Sequence, residues 1–444
     1  MELVQRQAMA LRHQQETLQE EFNHWRGRTQ AGQPLEKHHT QIARITAQLE
    51  GLLARVELPA DLSAATFTGN AQAQRLLLNA HRLWDYFRTK LALRDVAWFR
   101  QELLCADELA WACYRPARAQ AESTGVIAAA SLKEPPLVFY SPLASPFVQG
   151  RETLFDPEGL TQEDLRLLGV AVLKLPIPVI GLPWFQVNHL PAGMAIAHEA
   201  GHAVERDFGL VAAVDAAMAG LEGEGVAAAR VPAWQAWARE VFADLYGVLC
   251  CGEAYVLGLM DYLLAETQVI EGERRQPDAW EKYPTRHLRV LINLAALDAL
   301  GLDGAGVGAG WRALYQAHAM AEFEPDVPKV VAALLAVPLG GKPLRQVVAF
   351  SPANAQAAAI QQANILGGFT LNQGEDFRIL FAAAALAYHA DPEQYRQRNA
   401  QRAIVEQMAA AVPPGVRSAG PADPAALAPA DAQAGAALAD LFME

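Results

Sequence analysis

The stretch AIAHEAGHAVERDFG, residues 195–209, carries the pattern on which the reading of the whole chain turns. Its apolar residues fall at helical spacing, Pro191 stands near its start and Gly209 supplies a stop. Residues four apart share one face of a helix, so the imidazoles of His198 and His202 point the same way and Glu199 projects beside them. Two imidazoles on one face can reach a single ion. A catalytic zinc needs about three protein ligands and one open position, and it lowers the pKa of its water to ~7. Glu199 is then the candidate general base, taking a proton from that water and passing it to a leaving amine. The competing reading is two exposed histidines flanking a salt-bridging glutamate. Ala195, Ile196, Ala197 and Ala203 make the segment too apolar for an ordinary solvent face.

A third ligand must come from elsewhere in the chain. The continuation HExxHxxGxxH is absent, because position 205 is Glu and position 208 is Phe. Farther on, the run from Trp237 to Gly247 places Glu240 and Asp244 one turn apart on a helix otherwise made largely of Ala, Val, Phe, Leu and Tyr. Two acids on such a helix need a reason to be buried, which metal coordination and a hydrogen bond to a ligating imidazole would supply. Here the sequence resembles the gluzincin group of zinc peptidases, in which a second helix bears an E-x-x-x-D pair after the HExxH helix. The resemblance implies that Glu240 ligates zinc and that Asp244 orients a ligating histidine. It covers about residues 190 to 300, rests on short motifs, and specifies a clan more than a family. The Gly-Ala-Met-Glu-Asn motif of the large aminopeptidases is missing, which counts against that branch.

The same resemblance draws attention to Tyr283-Pro284-Thr285-Arg286-His287, at the predicted N-terminus of another helix. Such enzymes commonly place a Tyr, His or Arg where it stabilises the developing oxyanion, which makes Tyr283, Arg286 and His287 candidates, helped by the helix dipole. A capped helix start with solvated side chains explains the same residues. Upstream of the motif, PVIGLPWFQVNHLP is either the edge strand along which such enzymes bind an extended peptide or a core strand. The remaining histidines, at 13, 24, 38, 39, 81, 189, 318 and 389, lack metal spacing, and His189 is noted because it lies shortly before the motif helix. The vicinal Cys250 and Cys251 follow Asp244 on its helix and are read as packing, with oxidation sensing as the alternative.

Composition narrows the setting. The chain has 444 residues, of which 52% are hydrophobic and 19% charged, the balance of a globular protein of two or three domains. A net charge of −13 with no basic stripe excludes a nucleic-acid binder. Four cysteines without a CxxC pair do not make a disulfide framework. No secretory signal is visible at the N-terminus, and the most apolar stretch, Leu167 to Phe185, is interrupted by Lys174, Pro176, Pro178 and Pro183. The expectation is a cytoplasmic protein with no membrane span.

Four regions follow. Residues 1–125 are expected to form a helical domain: a polar helix to about Trp25, a turn at Gln30 to Pro34, and a second helix whose stripe Ile42, Ile45, Leu49, Leu52, Val56 is apolar at helical period, together an antiparallel hairpin suited to packing or to a protein partner. Further helix runs from about Ala71 to Tyr114, before Pro116. Residues 126–345 are the expected catalytic part, where PPLVFYSP and PIPVIGLPWFQV are the good strand candidates, with a helix between them signalled by Thr161 and Asp164 ahead of LRLLGVAVL. Helix is then expected over Trp234 to Ala265, Pro284 to Leu300 and Asp376 to His389. Residues 346–410 form a helical extension, and 411–444 a flexible Ala/Pro-rich tail. The fold class is mainly α, with α+β character in a zincin-like metalloprotease domain built on a small sheet and flanked by helices. The expected reaction is hydrolysis of peptide or protein substrates with Zn2+ as cofactor. The alternatives are a non-catalytic scaffold or regulatory protein with a degenerate HExxH site and a zinc exopeptidase acting on short peptides.

Overall fold

The structure is a computed structural model that describes residues 2–127, 133–151, 175–277, 280–372, 374–415 and 428–443. Helix makes up 70% of it and strand 5%, so the chain is mainly α with a small sheet. The helix expected at Thr161 lies outside the described residues. Among the described residues no helix is long and apolar enough to cross a membrane.

The chain opens with α1 (Leu3–Gly27) and α2 (His39–Leu53), the expected hairpin, on which α3 (Phe67–Ala92) packs. Leu18, Phe22, Ile42, Ile45, Leu49, Leu83, Trp84 and Phe87 are all sealed between these three helices. Next, α4 (Ala97–Ser123) runs straight through Pro116. Proline removes one backbone donor, but Ala112, Cys113, Tyr114 and Ala117 around it are buried, and that packing outweighs the lost bond. Cys113, Tyr114 and Ala117 belong to the second, larger core, so the packing divides between α3 and α4, before residue 125.

Three strands stand between the two cores. β1 (Leu137–Ser141) and β3 (Val179–Pro183) pair in parallel, and β2 (Phe147–Gln149) pairs antiparallel with β3, giving the order β1-β3-β2. Side chains alternate across a strand. Leu137, Phe139 and Val179 face the N-terminal helices, while Val138, Tyr140, Ile180 and Leu182 face the larger core. A sheet buried on both faces has near-continuous apolar strands, which is why both were legible as strands. β3 is central, so of the two readings of PVIGLPWFQV the core strand holds and the edge strand does not.

Beyond the sheet come α5 (Ala195–Asp207), α6 (Val211–Ala219), α7 (Val231–Cys251), α8 (Glu253–Leu263), α9 (Thr267–Gly272) and α10 (Arg286–Ala299). The single helix expected over 234–265 is broken at Gly252 into α7 and α8. Thr285 caps α10 by accepting from the Leu288 amide, so Pro284 precedes the helix instead of starting it. The helices Pro352–Gly367, Phe377–Ala390 and Ala400–Ala411 join the same core as α4, α5 and α7. Residues 346–410 therefore share a core with 126–345.

The expected flexible tail is corrected in part. Residues 428–443 form a helix, Ala428–Met443, laid against α2. Asp431, Gly435 and Ala439 recur every fourth residue on its inner face. Asp431 accepts from Arg44 Nε at 3.1 Å and from Gln48 Nε2 at 3.0 Å, and Ala439 is fully buried. Small residues, read as a sign of disorder, are what lets the two backbones touch: a Cβ on Gly435 would stand 2.2 Å from Gln48 O and 2.7 Å from Gly51 Cα. Gly435→Val and deletion of residues 428–444 are both expected to lower the thermal midpoint by a few degrees. A midpoint equal to the wild type in both would contradict docking.

Candidate metal centre

The site begins with a close helix crossing. A Cβ on Gly201 would stand 2.8 Å from Tyr246 Cβ and 3.1 Å from Ala243 Cα, so the glycine inside the HEAGH motif lets α5 lie directly on α7. Glu240, one turn before Ala243 and Asp244, is thereby carried to both imidazoles. His198 Nε2 is 3.3 Å and His202 Nε2 3.4 Å from Glu240 Oε2, with the two rings nearly perpendicular. The three ligand atoms lie within 4.8 Å of one another, and the group could hold a metal ion.

The chemistry of the pocket asks for a cation there. Glu240 is 0% exposed, and neither of its oxygens receives an aligned hydrogen bond. Lys282 offsets the charge at Oε1, at 2.5 Å, which leaves Oε2 facing only the two imidazoles. Burial disfavours the charged form of Glu240, yet the two histidines overcome it and hold the carboxyl well below its usual range. Burial likewise opposes protonation of His198, but Asp244 and Glu240 raise it to about 10. His202, lacking an Asp244 of its own, is pushed down by burial toward the neutral form, whereas His198 would have to release its proton to ligate a metal. Nδ1 of His202 has no hydrogen-bond partner among the described residues.

Asp244 stands beside His198. Its Oδ1 is 2.8 Å from His198 Nδ1, leaving Nε2 to face Glu240. Arg289 grips the same carboxylate in a two-pronged pair, Nε to Oδ2 at 2.8 Å and Nη2 to Oδ1 at 2.7 Å, and the Tyr255 hydroxyl donates to Oδ1 at 2.8 Å. Burial raises the Asp244 carboxyl, but Arg289 and His198 pull it well below the carboxylate range. The aspartate is thus fixed in charge and direction.

Glu199 opens into a cavity of about 680 Å³. Burial raises its carboxyl, His198 opposes this, and Glu240 adds to it, moving the group in the direction a general base requires. Tyr283 and Arg286 line the same cavity, with the Tyr283 ring over the Arg289 guanidinium at 4.8 Å. Arg275 and Glu273 form an ion pair on that wall at 2.9 Å. Phe185, His189, Met194, Leu259 and Tyr262 line other parts of the cavity.

His287 is the expectation that fails. Starting from the helix N-terminus, its side chain turns away from the cavity and stacks on His318, with ring centroids 4.6 Å apart, beside Trp311 and Tyr315. Arg286 lines the cavity, whereas the adjacent His287 points about 100° round the helix into the pocket formed by Trp311, Tyr315 and His318. Three contributors were missed. Arg289 carried a signal, being a charge inside the apolar run LRVLINLAAL, the same signal that singled out Asp244. Tyr255 and Lys282 carried none, since each is defined by what it touches.

Comparisons with protein-family models, curated proteins and solved structures find no match to this chain. The site therefore rests on its own geometry.

His287 also sets a pH dependence. Burial and then the nearby His318 lower it to about 4, against ~6.5 in an unfolded chain. The unfolded chain takes up this proton first, so stability is intact above about pH 6.5 and is lost as pH falls toward 4. His287→Gln should show a smaller drop in melting temperature between pH 7 and pH 4.5 than the wild type. Equal drops would contradict the assignment.

Proposed function

We propose that this chain is a zinc-dependent peptidase with a gluzincin-like, zincin-type catalytic domain, in which His198, His202 and Glu240 hold the metal. The observation that carries the reading is the convergence of two imidazole Nε2 atoms on one oxygen of a fully buried carboxylate, beside an ionisable Glu199 that faces a cavity. A His₂Glu donor set with room for one more ligand is that of a catalytic zinc site. Zinc held there would polarise the scissile carbonyl and activate a water for attack.

The chain's own residues do the rest. Glu199 takes the proton of the attacking water and delivers it to the departing amine. Asp244, held by Arg289 and Tyr255, keeps His198 turned with Nε2 forward. Tyr283 and Arg286, on the cavity wall, are placed to donate to the oxyanion and to orient the peptide. His287 has no part in the reaction.

The cavity does not suit an aminopeptidase. Of the other carboxylates lining the cavity, Glu273 is taken by Arg275 and by the Arg286 amide at 2.8 Å, and Asp261 is 58% exposed at the rim. Among the described residues these leave no buried anion to capture a free amino terminus, which weighs against an aminopeptidase. A degenerate scaffold is disfavoured by the retention of Glu199 at the cavity. A cytoplasmic setting is part of the proposal and is supported by four free, buried cysteines.

Glu199→Gln removes a base but no ligand. The variant should keep stoichiometric zinc and lose at least about 10²-fold in peptide hydrolysis, the usual worth of a positioned base. Glu240→Ala should lose most of its zinc, whereas Asp244→Ala should bind it about 10 to 100-fold more weakly. Near-normal hydrolysis by Glu199→Gln, or loss of metal from Asp244→Ala with retention in Glu240→Ala, would overturn the assignment of roles.

A further inference from the structure

The two oxygens of Glu240 have different neighbours. Oε2 faces both imidazoles, at 3.3 and 3.4 Å, while Oε1 is 2.5 Å from the ammonium of Lys282. The Lys282 contact is an ion pair and not an aligned hydrogen bond, and among the described residues it is the cation that meets Oε1. Glu240 is sealed, whereas the Lys282 side chain is 65% exposed, so the lysine reaches in from the surface to a buried atom. Its Nζ also lies 3.3 Å from the Tyr283 hydroxyl and 5.0 Å from that ring, which rests in turn on Arg289. The ammonium is therefore held at a defined place.

A carboxylate can ligate through one oxygen or through both, and the choice decides how many positions remain around the ion. Bound through both oxygens, Glu240 would crowd the position beside Glu199 that water and substrate need. A partner on the second oxygen prevents this, and outer partners of this kind orient ligating carboxylates in metal sites generally. We infer that Lys282 is a positioning residue: by claiming Oε1 it makes Glu240 a ligand through Oε2 alone and keeps the coordination position next to Glu199 open. This rests on the metal-site reading of His198, His202 and Glu240.

The same contact explains why the lysine comes from outside the core. A permanently buried ammonium would itself need desolvation, whereas a long stem with most of its surface in water delivers a charge at little cost. Arginine can supply a donor at the same reach, while methionine keeps the stem and removes the charge.

Cobalt(II) substitution reads the coordination directly, because visible absorption weakens as coordination number rises. The wild type, Lys282→Met and Lys282→Arg would be compared as full-length proteins loaded with one equivalent of Co2+, with zinc affinity measured by chelator competition and thermal unfolding as the control. Lys282→Met should show visible bands weakened by about twofold or more with an unchanged unfolding midpoint, and Lys282→Arg should restore most of the intensity. Identical spectra for wild type and Lys282→Met would overturn the role of Lys282 while leaving the metal site intact. An arginine variant as altered as the methionine variant would also overturn it. A wild type that takes up neither Co2+ nor Zn2+ would instead remove the metal-site reading, and this inference with it.

Discussion

Charge compensation beneath the cleft is the constraint around which the central helices are arranged. Glu240 and Asp244 stand one turn apart on α7, surrounded by Trp237, Val241, Phe242, Ala243 and Leu245, and both are sealed from water. Each needs positive charge or donors brought to it. Asp244 receives His198 from α5, Arg289 from α10 and the Tyr255 hydroxyl from α8, so three helices are tied to one carboxylate. Glu240 receives the Nε2 faces of both motif histidines and the ammonium of Lys282. The crossing at Gly201 is what makes these distances possible, since any side chain there would press on Tyr246 and Ala243.

This arrangement separates support from recognition. The proposed ligands, their base and their orienting partners sit on helices packed into the larger core, where neighbouring side chains hold each rotamer. The cavity walls come in part from the connections between these elements: Ser145 and Pro146 before β2, Phe185, Gln186 and His189 after β3, and Glu273, Arg275, Tyr283 and Pro284 before α10. Tyr262 donates to Ser145 Oγ at 3.0 Å, joining α8 to the turn that precedes β2. The sheet places the N-terminal helices on the side opposite the larger core, so they buttress that core without lining the cavity.

Legibility followed the physics of each signal. His198, His202, Glu240 and Asp244 were readable because helical spacing puts partners on one face and because acids on an apolar helix need explanation. β1 and β3 were readable from apolar, Pro-bounded runs that are buried on both faces. The three residues of β2 were not, since so short a strand is defined by its pairing with β3. The terminal helix was hidden because Ala and Gly signify disorder by composition but close approach by position, and only the partner at Gly51 distinguishes the two. His287 was placed in the cleft by residue type and by its position at a helix start, neither of which records that its ring packs against His318. Lys282 is a surface lysine in sequence and a partner of a buried carboxylate in space, a difference no local pattern records.

Zinc K-edge X-ray absorption of the purified chain bears most directly on the metal centre. A catalytic site of His198, His202 and Glu240 predicts one zinc per chain, two imidazole nitrogens at about 2.0–2.1 Å, carboxylate and water oxygens at about 2.0–2.2 Å, and a total coordination of about four. Absence of zinc from a protein folded in its presence, or a shell containing sulfur at about 2.3 Å, would contradict it.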